Sequence, residues 1–347
     1  MQPEAVELVV LAAVGLAMVL AFAPLAASRR GLLARGGVGL VGTAAVAAAP
    51  TFDVALLVLL VVGVVQAANE GSRSPAIRLR APVLAVALLA LAAVLARVES
   101  SDLIHRLAAV GLTAGIAAAV GLLPYLHAFD AEERVTSSPI AWLAYVGPVV
   151  AVVLVADSRG LLTSDAGAAF GAMLIGLGLL NMVWGSVGSW LTESTGAAWR
   201  YSFIADWGLA LCGFGVTLAD GRRAALLILF AIVLGRLPLY FMSREAVRQK
   251  VVTERPFNLL VAAALAGSAP FVGFSARVLL LRGATELYWP LALVLAVGML
   301  LWLPGSLRLG RSMGLPRGRQ AVGVAVVLAI NVAAGLYPLP LLAAAGL

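Results

Sequence analysis

Residues 224–243 read AALLILFAIVLGRLPLYFMS, a run that holds a single charge, Arg236. As a helix this run is about 30 Å long, the thickness of a bilayer's hydrocarbon core. It is apolar all round rather than along one stripe, so it offers no face to water. Comparable runs recur at 5–27, 37–49, 54–68, 81–96, 107–126, 138–156, 166–191, 201–219, 257–276, 287–306 and 320–345. In hydrocarbon a backbone must satisfy its own hydrogen bonds, so such runs form helices. The alternation of a membrane β-barrel is absent. The expected fold class is an all-α integral membrane protein, a polytopic bundle of about 12 transmembrane helices.

Composition agrees. Of 347 residues, 62% are hydrophobic and 12% charged, whereas a soluble domain carries about 25% charged residues. The net charge of +7 does not point to nucleic acid, because the arginines sit in short runs between apolar stretches and set topology there. Odd-numbered loops hold sixteen Lys and Arg, including Arg73, Arg78, Arg80, Arg244, Arg248, Arg308 and Arg317. Even-numbered loops hold seven, among them Arg97, Arg159, Arg222 and Arg282. The positive-inside rule places the odd loops in the cytoplasm and both termini outside. Glu4 and Glu7 stand at the start of the first apolar run, where a cleaved leader would carry basic residues, so that run reads as a retained helix.

Several chemistries find no residues to carry them. Cys212 is the one cysteine, so no internal disulfide forms, and no Cys/His cluster suggests a metal. No GxxxxGK[ST] run indicates an ATP-driven pump. The two histidines, His105 and His127, fall at opposite ends of one expected helix, a poor arrangement for haem. No nucleotide or flavin site is visible. The chain is expected to carry no cofactor and no catalytic site of its own, with any redox chemistry belonging to partners.

One pattern occurs twice. Gly121-Leu122-Leu123-Pro124-Tyr125 and Gly267-Ser268-Ala269-Pro270-Phe271 share Gly-x-x-Pro-aromatic, in the fifth and tenth apolar runs. An odd separation reverses orientation in the membrane, as in two inverted repeats with two discontinuous helices. Proline removes a donor and frees a carbonyl one turn earlier, which is tolerated beside a polar cavity. Gly and Pro are also common in ordinary transmembrane helices. On this reading 1–347 is a single membrane domain: 1–100 N-terminal helices, 101–219 a first repeat region, 220–306 a second, and 307–347 a C-terminal helix.

The residues around these patterns carry a resemblance. The run from Leu122 to Val146 resembles the Pro-Phe-His-x-Trp-x-Pro-Asp-Ala stretch of antiporter-like subunits through Pro124, Tyr125, Asp130, Ala131, Ser138 and Pro139, with His127 one place late. Arg200–Gly215 is similar to a second family run through Tyr201, Ser202, Ile204, Ala205 and Gly208. Leu265–Ala284 resembles a third through Leu265, Ala266, Gly267, Pro270, Gly273 and Phe274, with Arg277 at a lysine position. The three stand in family order and cover most of 120–285. The family comprises antiporter-like membrane subunits of respiratory complex I (NADH-quinone oxidoreductase, NuoN-like) and of Mrp-type cation/proton antiporters. The resemblance implies a shortened, degenerate member of a fourteen-helix fold in the bacterial cytoplasmic membrane. It implies membrane-subunit partners in the lipid bilayer, quinone only through such partners, and proton or cation translocation coupled to electron transport, as a translocase subunit.

The family relays protons through buried lysines and glutamates. This chain has one lysine, Lys250, in a loop. The family's lysine positions fall near Ala119, Pro148 and Val149, its early glutamate near Gln66, and the late position is Arg277. The remaining path candidates are Asp206, Arg236, Arg277, His127 and Gln66, with helix breaks at Gly121, Pro124, Gly267 and Pro270. Each has a plainer reading: Arg236 snorkelling at a helix end beside Pro238, Asp206 as a helix cap, Arg277 as an interfacial anchor, the histidines as interfacial. Asn181 and Asn331 read as helix–helix hydrogen-bonding residues. A non-conducting structural subunit of the same fold and an unrelated polytopic transporter stay open as alternatives.

Overall fold

The computed structural model describes residues 2–24, 29–69, 75–98, 101–124, 146–250 and 252–347. All regular structure among them is helical: α1 (Pro3–Phe22), α2 (Arg29–Ala47), α3 (Phe52–Asn69), α4 (Pro75–Arg97), α5 (Asp102–Val120), α6 (Gly147–Leu161), α7 (Ser164–Leu191), α8 (Thr195–Gly215), α9 (Ala219–Phe230), a π-helical turn (Ala231–Arg236), α10 (Leu237–Arg248), α11 (Pro256–Ala266), α12 (Val272–Leu301), α13 (Leu303–Arg311), α14 (Arg319–Leu336) and α15 (Leu339–Ala344). Six stretches are long and apolar enough to cross a membrane: α1, α5, α7, the α9–α10 run, the α12–α13 run and α14. Segments of α2, α3 and α4 and the whole of α11 are apolar but shorter. The protein is an integral membrane protein.

The chain divides into two compact units, Met1–Val10 with Ala27–Leu174, and Leu11–Ala26 with Ile175–Leu347. In the first, α2 to α5 pack in sequence and α5 also meets α6. In the second, α9 packs on α8 and α12, and α11 on α13. Small residues bring backbones together there. A Cβ on Gly185 would lie 2.6 Å from the Tyr201 carbonyl oxygen, and one on Gly178 2.6 Å from that of Gly208. Such close approach is how helices associate where lipid removes the hydrophobic drive.

The α9–α10 run is the buried centre of its unit: 94% of its apolar window is inside, against 33% for α14. An all-round apolar helix buries all its faces, whereas α14 leaves Val322 and Leu336 exposed. The run is not uniform. At Ala231–Arg236 it widens into a π turn, so the Leu237 N–H bonds the Ile232 carbonyl. Pro238 comes next and has no N–H for the carbonyl of Leu234.

Both Gly-x-x-Pro patterns end helices. Gly121 closes α5 at φ 80° and Gly267 closes α11 at φ 63°, the left-handed C-cap that glycine adopts without penalty. At each, an N–H reaches back five residues: Leu122 to Ala117 at 2.8 Å and Ser268 to Ala263 at 3.0 Å. Pro124 and Pro270 lie three residues beyond the glycines, each after a cis peptide. After Pro270 the chain resumes as α12; residues 125–145, beyond Pro124, lie outside the described ones.

Boundaries drawn at charged residues need correction: Arg159, Arg200, Arg222, Arg244, Arg248 and Arg308, which the apolar runs place in loops, lie in α6, α8, α9, α10 and α13. The charged stretch 277–286, read as a gap between spans, is helical within α12. Arg282 pairs there with Glu286 at 3.3 Å and with Asp220 of α9 at 3.1 Å, so side-chain pairing keeps the charges on a helix. Arg200, read as a loop residue, lies in α8, which begins at Thr195 behind an N-cap whose Ser194 hydroxyl accepts from the Ala197 N–H at 3.4 Å.

Candidate functional site

The break after α11 creates a chemical demand. The last carbonyls of a helix have no intrahelical donor. Here the Gly267 and Ser268 N–H groups take up Ala264 and Ala263, which leaves Leu265. Its carbonyl oxygen accepts two side-chain donors: Arg236 Nη2 at 3.0 Å and Trp302 Nε1 at 2.9 Å.

Arg236 reaches Leu265 from the last position of the π turn. Its Nε donates to Asp206 Oδ2 at 2.5 Å, and its guanidinium lies 4.8 Å from the centroid of the Trp302 ring. The two side chains of the ion pair are 4% and 10% exposed. Arg236 therefore does not snorkel to an interface; it is a fixed, paired charge inside the helical core. Asp206 stands in the middle of α8, and the cap of that helix is Ser194.

Arg277 completes the polar cluster from the first turns of α12. Its guanidinium lies against the break, so that a Cβ on Gly267 would sit 2.9 Å from Arg277 Cζ. It is close enough to interact electrostatically with both Asp206 and Arg236, yet it has no ion-pair partner within 4 Å among the described residues. Asp206, Arg236, Arg277, Gly267, Gly273 and Asn331 share a cavity of about 30 Å³, room for a little water and no organic substrate. The groups can pair charge and hold water. Arginine stays protonated and cannot relay a proton.

Asn331 closes the cavity from α14. Its Nδ2 donates to the Val327 carbonyl at 2.8 Å and to Leu234 at 3.4 Å, the carbonyl that Pro238 leaves without its usual donor. Four residues on, the Gly335 carbonyl accepts from Ser275 Oγ at 2.7 Å, beside the break. Asn331 is thus a helix–helix hydrogen-bonding residue, as its sequence context suggested. Asn181 bonds the Leu177 carbonyl of its own helix at 2.9 Å.

The structure brings together Asp206, Arg236, Arg277, Gly267 and Pro270. Gly121 and Pro124 mark the other break, in the first unit. His127 lies outside the described residues, and Gln66 lies on α3 with its side chain outside the described ones. Cys212 is buried, its Sγ 3.6 Å from the Ile175 carbonyl oxygen, a packing residue. Among the described residues no His/Cys/Asp/Glu group could hold a metal ion. The reading from sequence passed over Trp302 and the Leu265 carbonyl. The left-handed glycine at 267 was the available signal, since a helix ending there strands carbonyls that need donors.

No family model matches the sequence, and no curated protein matches it. Solved structures do. A chain of the Mrp complex from Dietzia sp. DQ12-45-1b aligns with a TM-score of 0.80 at 16% identity, over 99% of this chain and 44% of that one. A chain of respiratory complex I from Thermus thermophilus aligns with a TM-score of 0.72 at 18% identity, over 97% of this chain and 85% of that one. A chain of the membrane-bound sulfane sulfur reductase, an archaeal respiratory membrane complex, gives 0.70 at 17%, over 96% and 63%. The chain spans less than half the length of the Mrp chain it matches. The likeness in three dimensions runs in the same direction as the resemblance read from three short motifs: this chain shares the fold of these chains of the Mrp complex, respiratory complex I and the sulfane sulfur reductase.

Proposed function

We propose that this chain is an antiporter-like membrane subunit of a multi-subunit complex, of the complex I-like (NADH-quinone oxidoreductase) or Mrp-like kind, involved in proton or cation translocation coupled to electron transport. The observation that carries this reading is the buried Asp206–Arg236 pair, locked to the broken end of α11 through the Leu265 carbonyl. An ionisable pair inside a membrane is costly and marks a pathway or a structural lock. Here it stands where a helix is interrupted, beside a small polar cavity that also holds Arg277. Asp206 is the proton-exchanging group of the cluster, and the two arginines set the potential around it. Any redox chemistry or quinone belongs to partner subunits. The matching glycine caps and backward hydrogen bonds at Gly121 and Gly267 support two inverted repeats in a bundle of about twelve helices.

A second reading is favoured by one feature of the same site. Arg236 is held by a carboxylate, a carbonyl and an indole ring at once, which suits a structural pin as well as a relay. In that case the chain is a non-conducting scaffold of the same fold. Reconstitution of the whole complex in proteoliposomes with a pH-sensitive dye separates the two. Translocation predicts that Asp206→Asn lowers proton flux and coupled turnover while the complex stays assembled. Unchanged flux in both Asp206→Asn and Arg236→Ala would sink translocation and leave the scaffold.

A further inference from the structure

The charge balance of the cavity is not closed. Its lining carries one carboxylate, Asp206, and two guanidinium groups, Arg236 and Arg277. Asp206 is committed to Arg236 at 2.5 Å, so the Arg277 charge has no ion-pair partner among the described residues. Shedding the charge by deprotonation is not open to arginine. Arg277 is only partly exposed, and a poorly hydrated charge without a counter-charge is expensive, more so within a membrane.

Two further observations concern residues that line the same space. Arg236 is 4% exposed, and its Nη1 is buried with no hydrogen-bond partner, although the other guanidinium nitrogens are engaged. Gly273 also lines the cavity. It belongs to the first turn of α12, where backbone N–H groups have no intrahelical acceptor and the helix dipole is positive. Donors and positive charge thus converge on a space of about 30 Å³, which admits a water-sized ligand only.

We propose that this cavity binds a small monovalent inorganic anion, a halide in the simplest case, between Arg236 Nη1, the Arg277 guanidinium and the first turn of α12. The anion neutralises Arg277 and gives Arg236 the acceptor it lacks. Its presence rests on cavity charge alone, so it holds for a translocating subunit and for a scaffold alike. Loss of the Asp206 charge raises the positive excess, so the anion binds more tightly to a protonated or amidated residue 206. Proton uptake at Asp206 and anion uptake would then be linked.

The test uses the full-length chain in detergent, with the membrane subunits that accompany it, exchanged into gluconate and titrated with chloride or bromide at constant ionic strength. A ligand that binds only the folded state raises Tm with saturation; a saturating rise of a few degrees on going from zero to about 100 mM halide is expected. Equilibrium binding of radioactive chloride should saturate at one per chain. Asp206→Asn should shift the half-saturating concentration down at least severalfold. Arg277→Gln should abolish the halide response, and Arg277→Lys should keep part of it. A wild-type Tm that gluconate and halide support equally, with no saturable chloride binding, overturns the proposal and assigns the counter-charge to a carboxylate of the chain or of a neighbouring subunit. A halide response that Asp206→Asn leaves unshifted overturns it as well, by placing the ion elsewhere. Neither result bears on flux, so failure here is distinct from failure of the translocation reading.

Discussion

Losing both members of the Asp206–Arg236 pair should cost less than the two single losses added together. The charge centres of such a pair are about 4 Å apart, and at an effective dielectric of about 20 their attraction is about 4 kcal/mol. Removing one partner of a buried pair typically costs about 3–5 kcal/mol, because the survivor is left charged and unpaired. Asp206→Asn leaves two guanidinium groups in the cavity without a carboxylate, and it should fall in that range. Arg236→Met should be milder on the electrostatic account, since Arg277 remains to face Asp206. It also gives up the bond to the Leu265 carbonyl and the contact with Trp302. The double variant Asp206→Leu/Arg236→Met restores the cavity's original net charge with apolar side chains. Its loss should fall short of the sum of the single losses by about 2 kcal/mol or more, the coupling of residues in direct contact. Unfolding in mixed micelles with increasing dodecyl sulfate, followed by helical circular dichroism, measures all the variants against wild type. Additive losses, within about 0.5 kcal/mol, would refute the pair as an energetic unit.

The remaining expectations concern the frame around the site. Gly267→Ala should lose about 1–3 kcal/mol in the same unfolding assay, because it combines a left-handed φ of 63° with a Cβ 2.9 Å from the Arg277 guanidinium; Gly160→Ala, in open space within α6, should gain up to about 1 kcal/mol. Arg308→Ala should cost about 1–2 kcal/mol, since this side chain donates to the carbonyls of Ser189, Trp190, Thr192 and Glu193 at the C-terminal end of α7, and Arg308→Lys should recover part of it. Arg317→Cys in a Cys212→Ala background should resist a membrane-impermeant thiol reagent added outside intact cells, as the positive-inside rule expects of an arginine-rich loop; strong labelling would invert the topology. Ser312 in the same stretch is 5% exposed and would stay silent for want of access, so it cannot serve as the reporter.

Much of the architecture was legible because lipid simplifies the code. Long all-apolar runs have one stable solution in hydrocarbon, so hydropathy alone accounts for α1, α5, α7, α9–α10 and α14. The Gly-x-x-Pro pattern located both helix ends, since few residues other than glycine close a helix at positive φ. Asp206, Arg236 and Arg277 stood out as charges near apolar runs. Their pairing did not, because Asp206 and Arg236 sit on different helices, thirty positions apart, and meet only when α8 packs beside the π turn. No residue pattern announces that turn. Helix boundaries drawn from charge failed at 277–286, where Arg282, Glu286 and Asp220 satisfy one another on the helix surface. Ser312, polar and loop-adjacent, turned inward because its hydroxyl bonds the Leu309 carbonyl at 2.7 Å.

The choice of arginine over lysine is the point on which the functional readings turn. Arg236 directs Nε at a carboxylate and Nη2 at a carbonyl while laying its plane near an indole ring. A lysine ammonium is a point charge with no planar fork, and it could not hold that geometry. What a lysine could do is lose its proton when buried, which a guanidinium does not. The site therefore gains a rigid link between α8, the π turn, the broken end of α11 and Trp302, and it gives up a titratable cation. On the proposed translocation reading, proton exchange is left to Asp206. A proton on that carboxylate would cancel its charge and weaken its grip on Arg236, the residue that also donates to Leu265 at the helix break. The charge at Asp206 and the integrity of the break are in this way coupled through one side chain: on the translocation reading each proton taken up would slacken the break, and on the scaffold reading the pair would stay closed.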